Sequence, residues 1–74
     1  MKPDEVMNRL GSAIRARREA LNVSQEAFAD MIEMHRTYYS AIERGEKNLQ
    51  LSTLLRVSQG LGVTLSVVCL EAGV

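Results

Sequence analysis

Residues 24–45, SQEAFADMIEMHRTYYSAIERG, decide the fold of this chain. They predict two short helices joined by a tight turn, and Ser24 is suited to cap the first of them. The second predicted helix has Tyr39 and Ile42 spaced to face inward, whereas residues 35–38 at its start are polar. A helix that enters the major groove of DNA needs polar side chains at its N-terminal end and apolar ones on its back. We therefore expect residues 24–45 to be the functional centre.

Further helices are predicted on both sides of this stretch. Pro3 suits the start of a first helix, and Gly45 is placed to stop the third helix in a left-handed conformation. Apolar residues recur at helical spacing through each segment. In chain order, the predicted helices span about residues 3–21, 25–32, 35–44 and 51–61.

The C-terminal segment, residues 63–74, allows two interpretations. Thr64 can cap a helix that begins at Leu65 and is apolar on two sides, which is the preferred interpretation. The alternation of Val63, Leu65 and Val67 with polar residues also fits an edge strand. Both leave apolar surface exposed and predict self-association. The residues predicted for this dimer interface are Leu65, Val67, Val68, Leu70 and Val74.

Length and charge limit what the chain can do. Its 74 residues predict one small domain, residues 1–74, and nine basic residues balance nine acidic ones, so the net charge gives no sign of a polyanionic partner. The basic residues are nevertheless clustered. Ordinary solvated surface charge is one interpretation; a basic rim facing DNA is the preferred one. The clustered residues are Arg9, Arg15, Arg17 and Arg18, followed by Arg36, Arg44 and Lys47.

Several classes of function are disfavoured by composition. The single cysteine, Cys69, excludes an internal disulfide, and its apolar neighbours predict a buried thiol. His35 is the only histidine, and no Cys/His spacing matches a metal site, so no metal or other cofactor is predicted. No nucleophile–base pair or phosphate loop supports an enzyme. No apolar run approaches the roughly 20 residues of a membrane span, and no signal peptide is visible, so we expect no membrane partner and a cytoplasmic location.

Four ungapped motifs carry a family resemblance over about residues 9–70. The chain resembles the Cro/repressor-type helix-turn-helix family, also called the xenobiotic-response-element family, and its short form is similar to restriction–modification controller proteins. The resemblance implies an all-α, compact bundle of five short helices of the lambda-repressor-like type. The motifs are S-Q-E-A-F-A (24–29), Y-Y-S-A-I-E-R-G (38–45), N-L-Q-L-S-T-L-L (48–55) and L-G-V-T-L (61–65).

The same resemblance implies roles for individual residues. Arg36 and Thr37 take the positions that reach base edges, and His35 and Tyr38 lie beside them. The resemblance also implies an ion pair between two residues, Arg18 and Glu43, that ties the first helix to the third. The residues it implies for phosphate binding are Ser24, Gln25, Arg44, Lys47 and Asn48.

Two positions depart from the family pattern. Glu33 stands in the turn where the family usually has glycine, because that residue takes a positive φ; glutamate there is expected to cost about 1 kcal/mol. Gly60 lies inside the fourth predicted helix, where alanine is common, and should weaken that helix by a similar amount of about 1 kcal/mol.

These observations predict a sequence-specific, DNA-binding transcriptional regulator that acts as a homodimer on a palindromic operator. Two alternatives stay open at this point. One is an antitoxin that binds its operator and also offers a C-terminal strand or tail to a toxin partner. The other is a helical interaction module that has no role on DNA.

Overall fold

The described part of the chain folds entirely into helices. The computed structural model describes residues 1–46 and 48–74, which form five α-helices and contain no strand. The predicted all-α bundle of five helices is confirmed. In chain order, the helices are α1 (Pro3–Ala20), α2 (Gln25–Met31), α3 (Arg36–Glu43), α4 (Leu51–Leu61) and α5 (Leu65–Ala72).

The C-terminal segment forms helix α5, so the edge-strand alternative is wrong. The Thr64 hydroxyl caps this helix by accepting a hydrogen bond from the Val67 amide at 3.4 Å. Gly62 ends α4 with φ of +76°, a left-handed conformation that lets the chain turn into α5. Local capping chemistry therefore decides between two patterns that the apolar residues alone leave open.

The core places the back of α3 at the centre of the molecule. Tyr39 and Ile42 are 0% and 1% exposed, as their spacing predicts, and the Tyr39 ring lies 5.1 Å from that of Phe28 on α2. Helix α1 packs against both α3 and α5. Helix α3 is thus held from behind by α1 and α2, and its N-terminal end remains outside the core.

Helix α5 corrects two expectations about its side chains. Val68 is 1% exposed and fills the core, so it cannot take part in the dimer interface predicted for it. Cys69 is a free thiol that is only partly buried, although its apolar neighbours predicted full burial. Because nearly every residue of α5 is apolar, periodicity could not tell the inward face from the outward one.

The two turns that flank α3 have the left-handed backbone that was expected. Glu33, between α2 and α3, has φ of +54°, and Gly45, after α3, has φ of +74°. The turn of the helix-turn-helix therefore keeps its left-handed geometry without glycine. Such a conformation costs a non-glycine residue about 1 kcal/mol.

Replacement of Gly60 by alanine is expected to destabilise the fold, although alanine favours helices by about 1 kcal/mol. A Cβ atom at this position would lie 2.4 Å from the Ile32 Cγ2 and 3.1 Å from the Phe28 ring. The close packing of α4 against these two side chains therefore requires glycine at position 60. Crowding of this kind typically costs 1–3 kcal/mol, and we expect a net loss of about 1–2 kcal/mol in urea unfolding. A gain in stability would show that α2 and α4 can shift apart enough to accommodate the added methyl group. The expected weak spot is therefore a close-packing contact.

Candidate nucleic-acid interface

The side chains predicted to read bases lie on the outside of the molecule. His35, Arg36, Thr37 and Tyr38 are all exposed, whereas the next residue, Tyr39, is fully buried. His35 is the N-cap of α3: its Nδ1 accepts a hydrogen bond from the Thr37 amide at 3.1 Å. The ring proton is therefore on Nε2, which leaves a donor directed away from the helix end.

Arg36 has an acidic neighbour on α2. Its Nη1 donates to the Glu26 Oε2 at 3.0 Å, and the two side chains are 66% and 65% exposed. Glu26 was not predicted as a site residue from the sequence. A separation of ten positions does not signal this pair in the sequence; it arises from the way α2 crosses α3.

The residues predicted at the start of α2 remain able to donate hydrogen bonds. The Ser24 hydroxyl oxygen accepts from the Ala27 amide at 3.0 Å, so its own hydrogen is still available to another acceptor. The Gln25 amide uses one hydrogen on the Glu43 Oε1 at 2.8 Å and keeps a second. The side chain of Gln25 thus links the candidate interface to the core.

Arg44, at the C-terminal end of α3, is held by its surroundings. Its Nη1 donates to the Ser40 hydroxyl at 2.7 Å, and its Nε and Nη2 donate to the Glu46 carboxylate at 2.9 and 3.1 Å. A phosphate would have to compete with Glu46 for this guanidinium. Asn48 is exposed in the loop between α3 and α4, and Lys47 lies outside the described residues.

One cleft between α2 and α3 brings both predicted groups together. Its lining includes Ser24, Gln25, Arg36, Thr37 and Arg44. Two residues predicted to read bases and three predicted to bind phosphate therefore share a single open surface. The basic groups of this surface are balanced locally by acidic ones, in keeping with a net charge of zero.

A buried polar network fixes α3 to α1 and α2. The structure contains the Arg18–Glu43 ion pair, with Nε and Nη2 of Arg18 at 2.7 and 3.1 Å from the carboxylate and side-chain exposures of 9% and 1%. Tyr39 and Gln25 also donate to Glu43, and Arg18 donates to the Val23 carbonyl oxygen at 2.7 Å. Neither Arg18 nor Glu43 is free to contact DNA; together they hold the frame that presents residues 35–38.

Burial and hydrogen bonding act in opposite directions on this network. Burial favours the neutral acid, but hydrogen bonds from Arg18, Tyr39 and Gln25 outweigh it, so the pKa of Glu43 lies below its ordinary value. Burial and the hydrogen bond to Glu43 raise the pKa of Tyr39 well above its ordinary value. Glu43 is therefore a carboxylate and Tyr39 a neutral phenol at pH 7.

The described residues, 1–46 and 48–74, bear on two other kinds of site. Nowhere in these ranges do three or more His, Cys, Asp or Glu side chains gather as metal ligands. No single helix there is long and apolar enough to span a membrane; α4 and α5 together reach that length and composition, but they are bent by 95°.

The geometry agrees with a family match that covers most of the chain. The helix-turn-helix family HTH_3 matches residues 14–68, which include α2, the turn and α3. The chain belongs to this helix-turn-helix family. The family resemblance inferred from the four motifs is therefore confirmed.

Similar proteins include controller proteins of restriction–modification systems. The control protein C.MunI of a Mycoplasma species is 44% identical over 64 residues, which is 85% of this chain and 86% of that protein. The crystal structure of the clp gene regulator ClgR from C. glutamicum has a TM-score of 0.88 at 29% identity, covering 92% of this chain and 87% of that one. The controller protein C.Esp1396I, solved as a tetramer with its natural 35 base-pair operator, has a TM-score of 0.80 at 26% identity and covers 93% of this chain and 96% of its own.

Proposed function

We propose that this helix-turn-helix protein is a sequence-specific transcriptional regulator that binds double-stranded DNA as a homodimer on a palindromic operator. The observation that carries the proposal is the outward projection of residues 35–38 from a helix whose back, at Tyr39 and Ile42, is buried. The similarity to controller proteins, one of them solved on its operator, supports the same conclusion.

Base recognition is assigned to the N-terminal end of α3. The Arg36 guanidinium can donate two parallel hydrogen bonds to O6 and N7 of a guanine, the commonest specific contact in the major groove. The Thr37 methyl group can contact the methyl group of a thymine. The Nε2 donor of His35 and the hydroxyl of Tyr38 extend the same surface at its edge.

Phosphate contacts are assigned to the rim of the cleft. Ser24 and Gln25 each keep a donor hydrogen at the start of α2, and Arg44 and Asn48 follow α3. Lys47 remains a prediction for the same role. Such contacts fix the protein on the duplex and make its affinity strongly dependent on salt.

Dimerisation is assigned to residues 63–74, within one DNA-binding domain. On α5, Leu70 is 80% exposed, and beyond its end Val74 is 43% exposed; Leu65 and Val67 are half-buried between them and the core. A large apolar side chain exposed to this extent on a terminal helix favours burial against a second chain. A twofold pair would place the two α3 helices about 34 Å apart, one turn of DNA.

The antitoxin alternative has lost the feature that motivated it. It required a C-terminal strand or tail offered to a toxin, whereas α5 is a helix anchored in the core by Val68 and Ala72. None of these observations supports a toxin partner.

Replacement of Leu70 by aspartate is expected to convert a dimer into a monomer, because two charges would be buried opposite each other across the pair. Sedimentation equilibrium of the wild type and the variant measures this directly. Leu21→Asp is the matched control, since Leu21 is 46% exposed just after the C-terminal end of α1. If Leu70→Asp remains dimeric and Leu21→Asp becomes monomeric, the dimer interface lies at the C-terminal end of α1 and not on α5.

Selection of bound sequences from a random pool of duplex DNA tests the function itself. The proposal predicts enrichment of one motif with an inverted repeat. Recovery of unenriched DNA at low salt would reject sequence-specific binding. Enrichment of a motif with no symmetry would reject the homodimer on a palindrome.

A further inference from the structure

The Glu26–Arg36 pair lies in the cleft assigned to DNA. Arg36 is assigned to base reading, whereas Glu26 has no role in that assignment. We propose that Glu26 is a specificity-determining positioning residue, which holds Arg36 at the bases and prevents it from binding phosphate on DNA of any sequence. This inference rests on the proposed function.

The contact leaves the reading edge of Arg36 open. Glu26 accepts from Nη1 alone, at 3.0 Å. A guanidinium has five N–H donors in a flat fork, so the edge formed by Nε and Nη2 keeps two parallel donors. That edge can bind O6 and N7 of a guanine while Nη1 stays on the carboxylate.

The exposure of the pair excludes a mainly structural role. Its side chains are about two-thirds exposed, whereas those of the Arg18–Glu43 pair are 9% and 1% exposed. Exposed ion pairs contribute little to folding. What the contact does is restrict a long side chain that would otherwise take many orientations.

The restriction matters most on DNA that lacks the correct base. An unrestrained arginine beside a duplex can turn to a phosphate, and this gain is independent of sequence. With Nη1 held by Glu26, Arg36 faces the base edge, and a base without guanine's two acceptors leaves its donors unpaired. Glu26 therefore lowers affinity for wrong sequences more than affinity for the right one.

The experiment compares two duplexes by fluorescence anisotropy. One carries the motif selected by the wild type; the other differs at the single G·C pair whose preference is lost in Arg36→Ala. We expect the wild type to prefer the first duplex by about 10-fold to 100-fold, as a bidentate guanine contact allows. Glu26→Ala is expected to reduce that ratio about 3-fold to 10-fold, mainly by binding the altered duplex more tightly.

Matched variants separate positioning from a general charge effect. Asp30→Ala removes the same charge one turn further along α2 and is expected to keep the wild-type ratio. Glu26→Gln, which preserves the side-chain shape, is expected to shift the ratio in the same direction as Glu26→Ala, with an unchanged melting temperature for both. In an Arg36→Ala background, Glu26→Ala is expected to change nothing further.

Three results would overturn the inference. The first is that both Glu26 variants keep the wild-type ratio of affinities for the two duplexes. The second is that Asp30→Ala changes this ratio as much as Glu26→Ala, and the third is that Glu26→Ala still changes it in the Arg36→Ala background. Failure of the proposed function would appear differently, because the wild type would then select no motif at all.

Discussion

The free energy of unfolding is expected to fall by about 3–5 kcal/mol when Arg18 is replaced by alanine, because this leaves a buried carboxylate without its cation. Glu43 is 1% exposed at its side chain, and Arg18 supplies two of its hydrogen bonds. Small domains have about 0.05–0.15 kcal/mol of stability per residue, which gives about 4–11 kcal/mol for 74 residues, so this loss is a large share of the total. Urea unfolding followed by circular dichroism at pH 7 measures it.

The neighbouring arginine provides the control. Arg17 makes an equally short, bidentate ion pair with Glu71, but those side chains are 36% and 41% exposed. Arg17→Ala should therefore leave stability nearly unchanged, because exposed pairs are weak and screened by salt. Similar losses in both variants would show that burial of the Arg18–Glu43 pair is not what makes it important.

The free energy of unfolding of the wild type should fall in acid because Glu43 is paired with Arg18. The pKa of Glu43 is lowered from an ordinary value of 4.5 in the folded state, so the unfolded chain takes up a proton first. Stability contributed by Glu43 is present above that value and is lost as the pH falls through the folded pKa. In Arg18→Ala this acid-induced loss should be smaller, since the main group that lowers the pKa of Glu43 is gone.

Replacement of Arg36 by alanine is expected to remove the preference for one base pair in each half-site, at a cost of about 1–3 kcal/mol for each guanine contact. Binding to unrelated DNA should change far less, since phosphate contacts remain. Anisotropy titrations with the selected motif and with a scrambled duplex measure the two affinities separately.

Arg15→Ala is the matched control for this charge change. Although the sequence placed Arg15 in a basic rim, it lies on α1, exposed beside Glu19, and does not line the cleft between α2 and α3. It should leave the ratio of specific to unrelated affinity as in the wild type. A wild-type ratio in Arg36→Ala would assign base reading to another residue.

Periodicity in the sequence was sufficient to orient α3. Tyr39 and Ile42 are largely apolar and lie one helical turn apart, so they were predicted to face the core, as they do. This prediction by itself placed residues 35–38 on the outside. Caps and glycines gave several helix ends, among them Ser24 before α2, Thr64 before α5 and Gly62 after α4. Helices α1 and α4 begin without a side-chain cap. The buried Arg18–Glu43 pair joins residues 25 positions apart and was inferred only through the family resemblance.

Other features depend on how helices pack, which a pattern of apolar residues does not encode. In α5, Val68 and Leu70 are both apolar, yet one is 1% exposed and the other 80%. Gly60 looked like a weak helical position until Ile32 was found against it. The Glu26–Arg36 pair likewise requires the crossing of α2 and α3 and the direction of two long side chains.

Methylation interference on the selected duplex tests the central claim most directly, since dimethyl sulfate marks guanine N7 in the major groove and adenine N3 in the minor groove. With α3 of each chain in the major groove, guanine methylation should block binding in two patches about 10–10.5 base pairs apart. Interference from adenines alone, or from guanines in one unrepeated patch, would contradict a paired major-groove reader.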